Sequence, residues 1–313
     1  MLTTRIVFWN LGQLSSEGST LRYRESIEAL RQLASDVDTH IIALVEITDD
    51  STLQDLAQNL GRPWLALSTT HNPKGLNIGI LYDDSLYKPT SIPIGAPAYP
   101  LNGRRVLSGR QTACLFRMEA KEHRAFRLAI VHFKAEDGEA AHYINSVLGE
   151  WLQQILETQN KDEPMPVVIG GDFNCEPFDP IFGPGGLAAY RRADMATRAP
   201  GTLKLYNPMW RLLTDPTPLA DLRNRISADD RTLRSTVPAG TLDASKLIDG
   251  VIVSSDWLVD PHFEFIENRL NVLTDPKWHY IGERGAHHAG KKDSTKDERI
   301  SDHLPVAVYL NIS

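Results

Sequence analysis

Apolar runs that end on a polar residue recur along this chain. The strongest is Val167-Val168-Ile169-Gly170-Gly171-Asp172-Phe173-Asn174, an apolar stretch that stops on two glycines and then presents a carboxylate and an amide. Val and Ile suit a buried central strand, and Gly170 and Gly171 are expected to let the backbone turn tightly and approach a ligand. If the chain stays extended, Asp172 and Asn174 lie on the same side. Ile41 to Val45 has no polar residue, as expected of a strand buried on both faces, and ends at Glu46. Residues 5–9 form a first strand that delivers Asn10, and Phe126 to Val131 delivers His132. The run Leu247 to Val253 contains Asp249, and a last strand from Leu304 to Leu310 follows Ser301-Asp302-His303.

Between these strands the apolar period changes. Leu21, Ile27, Leu30, Leu33 and Ala34 recur at near-helical spacing, predicting a helix over Leu21 to Ala34 that packs on a sheet. A second helix is predicted from Ser51 to Leu60, stopped by Gly61 and Pro63. A third opens at His142 and Tyr143, runs through Val147, Leu148, Trp151, Leu152, Ile155 and Leu156, and ends before Pro164 and Pro166. Trp64 to Ser68, Leu76 to Tyr82 and Val106 to Met118 predict an antiparallel meander, with Pro93, Pro97 and Pro100 in an irregular connection. Gly12 to Thr20 predicts a loop over the site. The stretch between Cys175 and Leu247 is expected to carry substrate selection, as loops on a rigid scaffold do. Its Tyr206 and Trp210 are either core residues or stacking platforms for a base. Residues 283–299, with His287-His288 and Lys291-Lys292, form either a solvated loop or a cover for the cleft.

Composition narrows the class. A chain of 313 residues, 42% hydrophobic and 23% charged, is an ordinary globular protein. Its length admits one large domain or two. The polar strand ends run from Asn10 to His303, so any cut would divide one site, and a single domain over 1–313 is expected. Met1 to Arg5 leads straight into the first strand, leaving no room for a secretion leader, which predicts a cytoplasmic protein. No apolar run approaches the length of a membrane span. Cys114 and Cys175 give no disulfide framework and suit a reducing compartment. The net charge of −7 argues against binding a long duplex chiefly through its phosphates, although Arg104-Arg105 with Arg110 forms a local basic patch. No feature points to a protein partner.

The polar strand ends also carry chemistry. A carboxylate beside an amide, as at Asp172 and Asn174, either holds an attacking water and stabilises the oxygen it attacks or simply makes the turn at a strand end, where Asp and Asn are common. Glu46 is either a ligand for a hard divalent cation or an exposed residue at a strand end. In order, Trp9-Asn10, Glu46, Val131-His132-Phe133-Lys134, Gly171-Asp172-Phe173-Asn174 and Ser301-Asp302-His303, with Asp249 before the last, resemble the endonuclease/exonuclease/phosphatase superfamily. That superfamily includes deoxyribonuclease I, exonuclease III, neutral sphingomyelinase, inositol polyphosphate 5-phosphatases and the deadenylases.

The resemblance implies an α/β fold, a four-layer α/β/β/α sandwich of two packed mixed sheets, and phosphoester hydrolysis aided by Mg²⁺ or Mn²⁺. It implies Glu46 as chief metal ligand with Asn10 and Asp302 close by, and Asp172 as the group that orients or deprotonates water. Asn174 and His132 would bind the phosphate, Asp249 would hold His303 in one tautomer, and Arg110 would sit at the cleft edge unless it is an exposed strand arginine. Exonuclease III and its abasic-site relatives carry tyrosine where this chain has His132. The inositol phosphatases' Asn-Tyr-Arg and Trp-Cys-Asp-Arg sequences are missing here, and no membrane-inserting apolar hairpin is evident. The expected function is therefore an intracellular nuclease acting on DNA or RNA. The alternatives are a phosphatase or phosphodiesterase for small or lipid substrates and, last, a non-catalytic binding protein.

Overall fold

The computed structural model describes residues 1–16, 21–68, 77–95, 98–101, 104–107, 112–133, 139–177, 179–182, 187, 189–190, 192–195, 203–209, 212, 249–273, 301 and 303–313. The chain begins with β1 (Leu2–Leu14), α1 (Leu21–Ala34), β2 (Thr39–Ile47), α2 (Asp50–Leu60), β3 (Trp64–Ser68) and β4 (Asn77–Asp83). Next come β5 (Tyr87–Ile92), β6 (Ala98–Leu101), β7 (Arg104–Leu107), β8 (Ala113–Ala120), β9 (Phe126–His132), α3 (Glu139–Asp162) and β10 (Val167–Asp172). The last part holds β11 (Ala189–Tyr190), α4 (Arg192–Met195), β12 (Leu205–Tyr206), β13 (Asp249–Ser254), α5 (Asp256–Val259), β14 (Phe263–Phe265), β15 (Asn271–Val272) and β16 (Val306–Ile312).

Two mixed sheets are packed face to face. The first has the order β14-β16-β1-β2-β4-β3, with β15 also on β16, and the second has the order β11-β12-β13-β10-β9-β8-β5. Each is built round one parallel pair joined by a helical crossover, β1-α1-β2 in the first and β9-α3-β10 in the second. Antiparallel strands flank both pairs, β16 and β4 in one sheet and β13 and β8 in the other. The helices α1 and α2 lie against the first sheet and α3 against the second. The result is the expected α/β/β/α layering. No described helix is long and apolar enough to cross a membrane.

The strand period of two assigns the faces. In β9, Leu128 and Ile130 join the core between the sheets, while Ala129 and Val131 pack beneath α3 with Ile144, Leu148, Leu152 and Leu156. The neighbouring strand β10 repeats the division, with Val168 on the inner face and Val167 and Ile169 on the helix side. Residues on the inner parity that continue past the apolar run therefore emerge at one end of the inter-sheet core.

Several sequence expectations need correction. The third strand of the predicted meander is two strands. Arg104–Leu107 pairs with Ala98–Leu101 in a separate two-stranded ribbon, and Ala113–Ala120 belongs to the second sheet, apart from β3 and β4. Alternation reports a buried face and leaves the partner strand open. The edge strand β5 was not foreseen, because Lys88, Pro89, Thr90 and Ser91 lack an apolar period. The loop expected at Gly12 to Thr20 begins later, since β1 continues past Asn10 across a β-bulge until Leu14 meets Ile47. Gly170 and Gly171 lie inside β10 and admit other parts of the protein. A Cβ on Gly170 would stand 2.4 Å from the Phe8 ring, and on Gly171, at φ +129°, 2.3 Å from the Val131 carbonyl oxygen. The close approach seen here is between and within the sheets.

Candidate active site

The polar strand ends converge because of register. His132 is the cross-strand neighbour of Asp172 on the parallel side of β10, and Asp249 is its neighbour on the antiparallel side. All three share the inner parity of their strands, with Ile130, Val168 and Val251 behind them in the core. From the opposite sheet, Asn10 continues the parity of Phe8 and donates from Nδ2 to Asp172 Oδ2 at 3.0 Å. The backbone N–H of Asn174 donates to the other oxygen, Oδ1, at 2.8 Å. Both oxygens of Asp172 are thereby fixed in orientation.

His303 enters just before β16. Its Nδ1 lies 2.7 Å from Asp249 Oδ2, while Nε2 faces Asn10 Nδ2 at 3.5 Å and Asp172 Oδ2 at 3.9 Å. An Nδ1–H donated to Asp249 leaves Nε2 as the nitrogen turned to Asp172. Asp172, Asp249 and His303 place one ligand atom each within 4.8 Å of one another, a grouping that also suits a metal ion. Its atoms are held by the hydrogen bonds just described, and the side chains of Asp172 and Asp249 are only 2% and 4% exposed.

Glu46 stands across from this cluster and differs from it. Its side chain is 18% exposed, its backbone has φ +59°, and its Oε1 lies 3.2 Å from His132 Nε2. Among the described residues it has no lysine or arginine partner. A hard, partly open carboxylate beside the Asn10 amide fits a hydrated divalent cation, which keeps several waters and needs one or two carboxylates from the protein. The residues present therefore fit such an ion better at Glu46 than inside the closed Asp172–Asp249–His303 group.

The surroundings move the ionisations apart. Burial, and then the neighbouring Asp249 charge, push Asp172 up to about 6, against the pull of His303, His132 and the Asn174 N–H. Burial also pushes Glu46 upward, but the His132 hydrogen bond and charge, the Asn10 amide and His303 outweigh it, leaving Glu46 below the usual carboxylate range. Burial opposes charging of His132, yet the Glu46 hydrogen bond and the Asp172 and Glu46 charges leave it raised.

His132, expected to bind phosphate, has its Nε2 3.2 Å from Glu46 Oε1. One expectation is altered in detail. Asn174 does not continue an extended strand: it adopts φ +48°, and its Nδ2 donates to the Phe133 carbonyl at 3.0 Å. The turn follows from Asp172 accepting the Asn174 N–H, a local bond typical of Asp at a strand end. Arg110, Asp302 and Trp210 lie outside the described residues, as do residues 283–299. Tyr206 is a core residue of β12.

Sequence reasoning missed the fastening of the last motif. Trp9 Nε1 donates to the His303 carbonyl at 3.0 Å, and Ser301 Oγ donates to the Asn10 carbonyl at 2.6 Å while accepting from the His303 N–H. Trp9 and Ser301 were visible only as parts of motifs, with no signal in the residues themselves that they would meet.

The pattern of the Endonuclease/Exonuclease/phosphatase family matches residues 7–303. No curated protein matches the chain by sequence. Among solved structures, the catalytic domain of human Nocturnin with bound sulfate is 17% identical, covers 99% of this chain and 95% of its own, and gives a TM-score of 0.56. TDP2 of D. rerio, complexed with single strand DNA product, is 14% identical over 99% of both chains, with a TM-score of 0.56. A mannosyl-6-phosphatase of Bacteroides thetaiotaomicron is 16% identical over 98% of this chain and 99% of its own, with a TM-score of 0.57. At these identities the likeness is one of fold.

Proposed function

The chain belongs to the Endonuclease/Exonuclease/phosphatase family, a family of hydrolase-type phosphoesterases that use divalent metals, and from that premise we propose that it is a metal-dependent nuclease hydrolysing DNA or RNA phosphodiester bonds. The reading rests above all on one observation, the closed line His132–Asp172–Asp249 with His303 and Asn10 packed against it, facing the more open Glu46. Glu46 and Asn10 would hold Mg²⁺ or Mn²⁺, with Asp302 added by the sequence resemblance. When bound, the ion offsets charge on the phosphoryl oxygens.

The protein's own residues supply the rest. Asp172, fixed at both oxygens and with its proton affinity raised toward neutrality, takes a proton from the attacking water. Asp249 holds His303 by Nδ1, so that Nε2 stays aimed at the phosphoryl oxygen beside Asp172. His132 and Asn174 complete the binding of the phosphate once His132 leaves Glu46.

The two residues after Asn174 favour a nuclease over an inositol phosphatase. Cys175 is 4% exposed and burial pushes its thiol up to about 12, so it packs in the core, and Glu176 is an exposed acid. That stretch supplies neither a phenol nor a guanidinium for additional phosphates. The test is a panel of labelled DNA and RNA oligonucleotides and small phosphate esters with Mg²⁺, Mn²⁺ or EDTA. Oligonucleotide cleavage that EDTA abolishes is the expected result. Rapid phosphate release from monoesters without cleavage of any oligonucleotide would establish a phosphatase instead.

A further inference from the structure

Just past Asn10 the strand β1 leaves its ladder. Asn10 pairs with Val45 and the next pair is Leu14 with Ile47, so Leu11, Gly12 and Gln13 face a single residue of β2, Glu46. Gly12 and Gln13 take φ of +57° and +64°, and Glu46 opposite them takes +59°. Such a φ is ordinary for glycine, but residues with side chains keep it only where their surroundings hold them there. Leu11 and Gly12 are paired with neither β2 nor β16, so their carbonyls need other donors. Arg22, the second residue of α1, supplies them: its Nη2 donates to the Leu11 carbonyl at 2.5 Å and to the Gly12 carbonyl at 2.6 Å. At the other end of the bulge the Thr48 N–H and hydroxyl donate to the Leu14 carbonyl at 3.0 and 3.1 Å.

The segment that Arg22 holds in turn sets the Asn10 amide. The Gly12 N–H donates to Asn10 Oδ1 at 2.9 Å, while Asn10 Nδ2 donates to Asp172 Oδ2 at 3.0 Å and lies 3.5 Å from His303 Nε2. A flipped amide would set its oxygen against the Asp172 carboxylate and its NH₂ against the Gly12 N–H, so only one orientation satisfies both ends. An amide oxygen has two acceptor positions, and the Gly12 N–H takes one of them. The side chain that bridges the two sheets beside Asp172 is thus oriented by a backbone N–H whose own place depends on Arg22.

We propose that Arg22 is a positioning residue for the active site: by holding the Leu11 and Gly12 carbonyls it keeps the Gly12 N–H on Asn10 Oδ1, and so keeps the Asn10 amide turned to Asp172. The proposal deepens the nuclease reading, and its consequence for hydrolysis rests on that reading. A guanidinium suits the task, because the two N–H bonds of Nη2 diverge in a fixed plane toward two neighbouring carbonyls. A misplacement of about 1 Å is enough to slow a reaction by about 10²-fold, so a bulge released from Arg22 registers at the reacting groups through Asn10.

The test compares Arg22→Met, which keeps the stem of the side chain without a donor, with Arg22→Lys and with a control, Arg24→Ala, which removes the same charge from an exposed position of the same helix. Hydrogen exchange of the metal-free protein, followed at single amides by NMR, reads the Gly12 N–H directly. Protection at Gly12 is expected to fall by about ten-fold or more in Arg22→Met, to return in large part in Arg22→Lys and to stay unchanged in Arg24→Ala, with the amides of Ile6 to Phe8 as in the wild type throughout. With Mg²⁺ and bis(p-nitrophenyl) phosphate, Arg22→Met is expected to lower kcat by about ten- to a hundred-fold with little change in KM. Added to Asn10→Ala, it should cost little more than Asn10→Ala alone, because the two act as a unit. Should Arg22→Met fail to fold, Arg22→Gln carries the same expectations. Unchanged Gly12 protection in the folded variant, a loss spread evenly over β1, an equal loss in Arg24→Ala, or full additivity with Asn10→Ala overturns the proposal. A wild type that cleaves no phosphodiester, while Gly12 still loses protection without Arg22, would refute the nuclease and leave the positioning standing.

Discussion

The two parallel crossovers occupy matching places in their sheets and end in matching ways, each delivering one nitrogen-bearing side chain and one carboxylate to the site. The first delivers Asn10 and Glu46, and the second His132 and Asp172. Their carboxylates nevertheless part company. Glu46 sits at the bulge of β2 between Val45 and Ile47, at positive φ and partly open, and is held below the usual range by His132. Asp172 stays inside a regular strand between two polar neighbours, almost fully enclosed, and is pushed up to about 6. Two carboxylates whose surroundings drive them apart mark a division of labour: the easily ionised, open one suits a cation, and the enclosed one suits a proton. Similar topology therefore does not make the halves equivalent, because a β-bulge and a single imidazole decide which acid faces solvent.

The largest effects should come from exchanging each carboxylate for its amide. Asp172→Asn is expected to lower the hydrolysis rate by about 10²–10⁴-fold, the usual worth of a general base, while metal affinity measured by calorimetry changes little. Glu46→Gln should lower both, with metal affinity falling at least the about 10–100-fold typical of disturbing a metal's surroundings. Equal loss of metal affinity in the two variants would erase the division drawn between the halves.

A double-variant cycle comes next in size. Asp249→Asn and His303→Ala should each slow hydrolysis by about a hundred-fold or more, and the double variant should lose little beyond either, because the carboxylate acts through the imidazole it holds at 2.7 Å. Fully additive losses would mean that the two act independently.

Smaller changes are expected at the fastening residues. Ser301→Ala leaves the Asn10 carbonyl without its hydroxyl donor and should cost about 1–3 kcal/mol, whereas Trp9→Phe, which keeps most of the buried ring, should cost nearer 0.5–1.5 kcal/mol, roughly the net worth of one hydrogen bond. Urea unfolding measures both. If neither variant moves the midpoint, these bonds do not tie β1 to the last motif.

A pH dependence of the metal-free protein is also expected. Asp172 has a raised folded pKa, so its contribution to stability is fully present below the unfolded value of about 4 and is lost as pH rises through about 6. Glu46, with a lowered folded pKa, contributes in the opposite sense, and its share is lost as pH falls below the usual carboxylate range. Melting curves between about pH 4 and 7 should therefore show Asp172→Asn losing less stability than the wild type as pH rises. Parallel curves would show that Asp172 ionises as it does in the unfolded chain.

Much of this was written in the order of residues. Apolar runs marked the strands that end in Asn10, Glu46, His132 and Asp172, and the motif order pointed to two packed sheets. Shared parity explains why His132, Asp172 and Asp249 meet: each continues the inner face of its strand, although runs apolar at every position, such as Val167–Ile169 and Val251–Val253, do not show in the sequence which face is inner. What only the tertiary structure decided is which distant groups meet across the sheets. Backbone ladders pair strands with little regard for side-chain identity, so alternation alone could not assign Ala113–Ala120 to the second sheet or set the ribbon apart. Nor does local sequence show that Phe8 fills the space over Gly170, that His132 turns to Glu46, or that Trp9 and Ser301 fasten His303 to the first strand. Those contacts join residues far apart in the chain, and they exist only once both sheets have packed and water has been excluded between them.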